Sequence, residues 1–215
     1  MQLSWEDVSF QYSRYSRPIL EDVSLTLSGP GLHEVRGPSG SGKSTVLDLL
    51  AGLRAPTAGR VLVDGRRLAA GSPNKAARWR ARHVGYAPQA PTLLASLTCA
   101  ENLELAVNVA SRGLDRAGCE RLLERLGMAP FAEALPDELS GGQRQRAAVA
   151  QALCSQPDLI LMDEPVSALD DANVAVVEDL LHEAVEAGAT VVYCSHRELF
   201  GGRAHTLLEM GGVTG

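Results

Sequence analysis

The chain has no apolar run near the ~20 residues that cross a bilayer, and its N-terminus has no secretory leader. These absences predict a soluble cytosolic chain for which any membrane role requires a partner. Basic runs are also missing. The formal net charge is −6, and the densest cluster, Arg78-Trp79-Arg80-Ala81-Arg82, reads as a solvated helix face, so nothing supports nucleic-acid binding. The four cysteines, Cys99, Cys119, Cys154 and Cys194, are scattered without CxxC or zinc spacing. They read as free thiols of a reducing compartment and argue against a metal centre or a disulfide framework. Lysine is nearly absent: Lys43 and Lys75 stand alone, and arginine supplies the other basic side chains.

One of those two lysines lies in Gly37-Pro38-Ser39-Gly40-Ser41-Gly42-Lys43-Ser44-Thr45, which fits the spacing Gly, four residues, Gly, Lys, Ser or Thr. Average residue usage produces that pattern in roughly one chain of this length in a hundred. Its flanks are also right, because Leu32 to Arg36 reads as a strand and Ser44 to Ala51 as a helix stopped by Gly52. Glycines let backbone N–H groups turn toward phosphate oxygens, and the helix N-terminus adds a positive dipole end. Lys43 then reaches the β- and γ-phosphates, and the Ser44 hydroxyl is a magnesium ligand. A compact ammonium on a flexible stem suits this cradle better than a planar guanidinium.

Along the rest of the chain, Leu3 to Tyr12 and Val23 to Leu27 alternate as half-buried strands. Arg60 to Asp64 and His83 to Ala87 read as further strands. Helices follow at Cys99 to Ala110, Arg116 to Gly127 and Gly141 to Cys154, separated by Gly and Pro breaks. Leu159-Ile160-Leu161-Met162 and Thr190 to Cys194 read as strands buried on both faces of a parallel sheet, with a helix at Ala172 to Ala187 between them. The order implies an α/β core interrupted by an all-helical insertion.

Two further stretches carry chemistry. The strand from Leu159 ends in Asp163-Glu164-Pro165. An Asp at the carboxyl end of a parallel strand sits where such folds bind ligands and is placed to hold magnesium, and the adjacent Glu164 is placed to orient a water. Leu139-Ser140-Gly141-Gly142-Gln143 opens a helix, with Ser140 as its N-cap. Two glycines in a first turn cost ~1 kcal/mol each relative to alanine, and close approach of a phosphate would explain them.

Together these motifs resemble the nucleotide-binding domain of ABC transporters over nearly the whole chain. Gly37–Thr45 matches Walker A, Leu139–Gln143 the signature and Leu159–Glu164 Walker B. Ser167 to Asp170 is similar to the D-loop. Gln89 falls at the Q-loop position, His196 at the switch position, and Tyr12 resembles the adenine-stacking aromatic, with Tyr15 close by in the same loop. The resemblance implies a RecA-like P-loop NTPase core with an antiparallel β subdomain and an inserted α-helical subdomain. Residues 1–88 and 156–215 would form the core, and residues 89–155 the insertion.

It also implies an ATPase using ATP and Mg2+. Glu164, His196 and Gln89 would be catalytic. Tyr12, Gly37 to Thr45, Ser140, Gly141, Gly142, Gln143 and Asp170 would bind nucleotide, and Ser44, Gln89 and Asp163 would hold the metal. The implied partners are a second nucleotide-binding domain paired head to tail, as a homodimer, and separate transmembrane permease subunits at the cytoplasmic face of the inner membrane. A heterodimer with a degenerate partner stays open. Val166 stands where Thr is frequent, and Gln151 where Arg is common. The short stretch after His196 argues against a regulatory domain. Layout is most similar to the lipoprotein-releasing, macrolide-export and cell-division group. A small importer ATPase, or a non-transporting ATPase that signals by dimerising, is the alternative. A repair or translation ATPase would carry a coiled-coil, zinc or tandem-domain insertion, and a P-loop kinase has no use for Leu-Ser-Gly-Gly-Gln.

Overall fold

A computed structural model describes residues 1–67 and 73–210. Apolar periodicity builds two sheets. Strands β1 (Gln2–Phe10), β2 (Leu20–Ser28), β4 (Ala58–Val63) and β5 (Arg66–Arg67) form an antiparallel sheet in the order β2-β1-β4-β5. Strand β3 (Gly31–Arg36) instead joins a parallel sheet with β6 (Val84–Ala87), β7 (Leu159–Asp163), β8 (Thr190–Cys194) and β9 (His205–Glu209), ordered β6-β7-β8-β3-β9. Strand β9 carries no signal that sequence periodicity picked out, and it pairs only with β3, at the sheet edge.

Helix α1 (Lys43–Leu50) follows β3, and α2 (Pro73–His83) precedes β6. Between β6 and β7 come α3 (Cys99–Ala110), α4 (Arg116–Arg125) and α5 (Gly141–Cys154), the expected helical insertion. Helix α6 (Asp171–Glu186) links β7 to β8. Helix α4 stops two residues before the expected Gly127, which takes φ 65° beyond the helix end. Tyr12 also falls outside β1, in the loop that follows it.

The parallel sheet separates two cores because side chains alternate along each strand. Ile160 and Met162 of β7 and Val191 and Tyr193 of β8 face the helices α3 to α6. Leu159 and Leu161, with Val192 and Cys194, face α1 and the antiparallel sheet, where Val46, Leu47, Leu49 and Leu50 are fully buried. Each such aliphatic side chain stabilises the fold by about 1.5–3 kcal/mol on burial. All four cysteines are buried and free.

Burial on both faces makes the sheet rigid and brings the carboxyl ends of β3, β7 and β8 to one edge. At the opposite edge Asp158, just before β7, binds the insertion to the core. It meets Arg112 Nη1 at 3.2 Å and His83 Nδ1 at 2.5 Å, while Arg112 Nη2 donates to the Gln156 carbonyl at 2.6 Å. Partial burial pulls the Asp158 pKa up, but His83 and Arg112 together hold it below its ordinary value. A carboxyl with a depressed folded-state pKa stabilises the fold above its unfolded pKa, and loses that contribution as the pH falls through the folded value. Asp158→Asn should therefore lower the urea midpoint at neutral pH. The deficit against the parent chain should shrink as the pH is lowered through the carboxylate range.

Candidate nucleotide-binding site

The loop between β3 and α1 turns back on itself through three glycines with positive φ, Gly37 at 152°, Gly40 at 76° and Gly42 at 101°. Gly42 has a second reason to be glycine: a Cβ there would lie 2.2 Å from Ile19 Cγ2. Lys43 is 8% exposed, and its Nζ donates to the Gly37 and Pro38 carbonyls at 2.9 and 3.0 Å. That leaves one ammonium N–H toward the cavity beside it.

This cavity, about 270 Å³, is lined by Tyr12 and Ile19, by Ser39, Gly40, Gly42, Lys43, Ser44 and Thr45 of the loop, and by Gln89, Asp163, Glu164 and His196. Eleven of the sequence-predicted site residues thus meet in one place, drawn from the carboxyl ends of β1, β3, β6, β7 and β8 and the segments that follow them. Larger clefts elsewhere lack this convergence of groups. Gly37, Pro38 and Ser41 belong to the same loop without facing the cavity, and Ser41 Oγ is buried without a partner. Tyr12 reaches the cavity and its phenol oxygen lies 2.8 Å from Thr45 Oγ1, whereas Tyr15 is 87% exposed, under the Arg14 guanidinium.

At the β7 end, Asp163 is 4% exposed and its Oδ1 accepts from the Cys194 thiol at 2.9 Å, across the β7–β8 register. Burial and the Asp163 carboxylate push the Cys194 thiol up, so it stays protonated as the donor. Glu164 is 6% exposed and adopts φ 53°, a left-handed backbone that costs a non-glycine residue roughly 1–2 kcal/mol. Four bonds hold it there: Glu164 N–H to the Cys194 carbonyl at 2.9 Å, and the Ser167 hydroxyl, Ser167 N–H and Gln145 Nε2 to the Glu164 carbonyl at 3.1, 3.3 and 3.4 Å. Its Oε2 accepts the His196 N–H at 3.2 Å, with His196 Nε2 at 3.5 Å from Oε1. Oε1 itself is buried with no hydrogen-bond partner. The Ser44 hydroxyl, the Gln89 amide and the Asp163 carboxylate line the same cavity as that unpaired oxygen and offer the hard oxygen donors that magnesium and its waters take. Ser44, Gln89 and Asp163 therefore fit magnesium, the group expected from the sequence.

Ser140, Gly141, Gly142, Gln143 and Asp170 do not join this cavity. Ser140 caps α5 in a reciprocal box: its Oγ accepts the Gln143 N–H at 3.3 Å, and Gln143 Oε1 accepts the Ser140 N–H at 2.7 Å. The two glycines differ. A Cβ on Gly142 would lie 2.9 Å from the Ala168 carbonyl, so close packing within the chain already requires a glycine there. Gly141 faces open space. Asp170 caps α6 through the Asn173 N–H at 2.9 Å, and this bond lowers its pKa. Sequence reasoning missed Gln145 and Cys194, whose roles depend on cross-strand and helix-to-loop contacts with no linear signature.

A phosphate loop between a parallel strand and a helix, facing two carboxylates at the end of a neighbouring buried strand, defines a RecA-like P-loop nucleotide-binding domain. The chain belongs to the ABC transporter family, whose model matches residues 20–167. It is 37% identical to the lipoprotein-releasing system ATP-binding protein LolD of Xanthomonas campestris pv. campestris, over 90% of this chain and 82% of the relative. It is also 37% identical to the probable syringafactin export ATP-binding/permease protein SyfD of Pseudomonas syringae pv. syringae, over 89% of this chain. Of that export relative's own length the chain spans only 30%. Among solved structures it is similar to the ATP-binding cassette MJ0796, in a dimeric post-hydrolysis state bound to ADP and Pi. The TM-score is 0.84 at 32% identity, covering 91% of this chain and 88% of the other.

Gly141→Ala, with open space and ordinary φ, should raise the unfolding free energy of the isolated chain by up to about 1 kcal/mol, read by urea denaturation. Gly142→Ala should show no such gain.

Proposed function

We propose that this chain is the ATP-hydrolysing subunit of an ABC transporter, working as a head-to-tail homodimer on separate membrane-embedded permease subunits at the cytoplasmic face of the membrane. One observation carries the reading. The cavity gathers Tyr12, Lys43, Ser44, Gln89, Asp163, Glu164 and His196, but Ser140 to Gln143 lie outside it with Gly141 open. A chain with half a site completes it with the signature of a second copy, and similarity to a dimeric cassette supports that pairing.

In this reading Tyr12 stacks on the base, while the loop N–H groups and Lys43 hold the β- and γ-phosphates. Ser140, Gly141, Gly142 and Gln143 of the opposite copy close over the γ-phosphate at the positive end of α5. Asp170 reaches across the dimer. Magnesium held by Ser44, Gln89 and Asp163 would neutralise charge that develops between the β- and γ-phosphates. Glu164 orients a water through its free Oε1 and takes its proton as the oxygen bonds to the γ-phosphorus. The bond to the β–γ bridging oxygen breaks, leaving ADP and phosphate. His196, already bonded to the Glu164 carboxylate through its N–H, faces the γ-phosphate with its ring. Positioning and fixed dipoles supply the catalysis.

Residues 89–155 act as a lever between site and permease. Gln89 enters the insertion directly after β6, and α5 returns to the site, where Gln145 touches the Glu164 carbonyl and Gly142 packs on the segment after it. Loss of the γ-phosphate would therefore move the insertion.

Glu164→Gln should keep ATP binding, trap an ATP-bound dimer on size exclusion and lower turnover roughly 10²–10⁴-fold, the range for losing a general base. Normal turnover with the permease present would refute the role of Glu164. Lys43→Ala should abolish binding in a titration with a fluorescent ATP analogue.

A further inference from the structure

Tyr12 is not a free-standing ring. Its phenol oxygen is fixed by Thr45 Oγ1 at 2.8 Å, and its edge meets the Phe10 ring with centroids 5.2 Å apart and planes at 83°. The Arg54 guanidinium carbon lies 4.8 Å from the Tyr12 centroid. Tyr12 lines the cavity and Arg54, in contact with its ring, does not. With these neighbours in place Tyr12 is still 56% exposed, which leaves surface for a further partner.

Arg54 is itself held. Its Nε donates to Asp48 Oδ2 at 2.8 Å and its backbone N–H to the Asp48 carbonyl at 3.4 Å. Asp48 Oδ1 accepts the Tyr86 hydroxyl at 3.2 Å. Asp48 lies on α1, so the helix that begins at Lys43 also carries the support for Tyr12. Tyr86 lies on β6, three residues before Gln89.

We propose that Arg54 is a positioning residue for the nucleotide base: it backs the Tyr12 ring and holds it at the cavity mouth, ready to stack on the purine of ATP. The inference rests on Tyr12 being the stacking residue. A guanidinium is planar and attracted to the negative face of an aromatic ring, and can stack on it as an ammonium cannot. A ring already fixed on one side loses less freedom when a base arrives on the other. Arg54 thus acts through Tyr12, on the base and not on the phosphates.

Binding of ATP and of inorganic tripolyphosphate, at one fixed magnesium concentration, tests this by calorimetry on the parent chain, Arg54→Ala, Tyr12→Ala and the double variant. Arg54→Met keeps the aliphatic stem and guards against loss of packing. Arg54→Ala and Arg54→Met should each weaken ATP by roughly two- to five-fold, as expected for one cation–π contact near a surface. Tripolyphosphate affinity should not change, and Arg54→Ala should add nothing once Tyr12 is alanine. In steady state KM for ATP should rise with kcat unchanged. Equal loss for ATP and tripolyphosphate would make Arg54 a phosphate attractor or a support of the loop, and would overturn the inference. So would a loss that persists in the Tyr12→Ala background. If Tyr12→Ala weakens ATP but the Arg54 variants do not, the Arg54 inference fails and the stacking role stands. If Tyr12→Ala leaves ATP binding unchanged, the stacking reading fails, and the Arg54 inference with it.

Discussion

Glu164 combines two costs in one residue. Its backbone is left-handed at φ 53°, and one oxygen of its nearly buried carboxylate has no partner. Left-handed strain is worth about 1–2 kcal/mol and an unsatisfied buried acceptor about 1–3 kcal/mol. A soft scaffold would relax both, by flipping the backbone or turning the carboxylate to solvent. The scaffold is stiff because β7 is buried along its whole length and hydrogen-bonded to β6 and β8. The Cys194 carbonyl then receives the Glu164 N–H, and the same residue's thiol holds Asp163. Aliphatic burial in two cores supports a short strained edge where unspent polar groups are concentrated.

The helical insertion is tied to that edge and to the opposite one. Arg112 joins it to Asp158 ahead of β7, and Gln145 and Gly142 join it to the residues just beyond β7. Both ends of a single buried strand are therefore contacted by the insertion. The contacts at the carboxyl end are backbone carbonyls and close packing, so the insertion and the Glu164 segment are in direct contact.

Much of this was legible from the linear chain. The phosphate loop, the buried strands ending in Asp163-Glu164 and in Cys194, and the helices at Cys99 and Gly141 have periodicity or fixed spacing that local chemistry imposes. Tyr12 was chosen over Tyr15 by motif position alone, and what distinguishes their surroundings, the packing of Phe10, Thr45 and Arg54 on Tyr12, has no linear signature. The glycine pair was read as a single feature with a single cause. In the fold Gly142 is required by the Ala168 carbonyl, while Gly141 alone is open.

The sequence by itself determined the candidate groups for the chemistry and the places of most strands and helices, since backbone turns, caps and burial patterns are local or periodic. Tertiary structure decided which of those groups meet. The strand order β6-β7-β8-β3-β9 puts Cys194 beside Asp163, and the packing of the insertion leaves Ser140 to Gln143 outside the cavity. Strand order depends on the free energy of whole faces packed together, which no short stretch of residues contains.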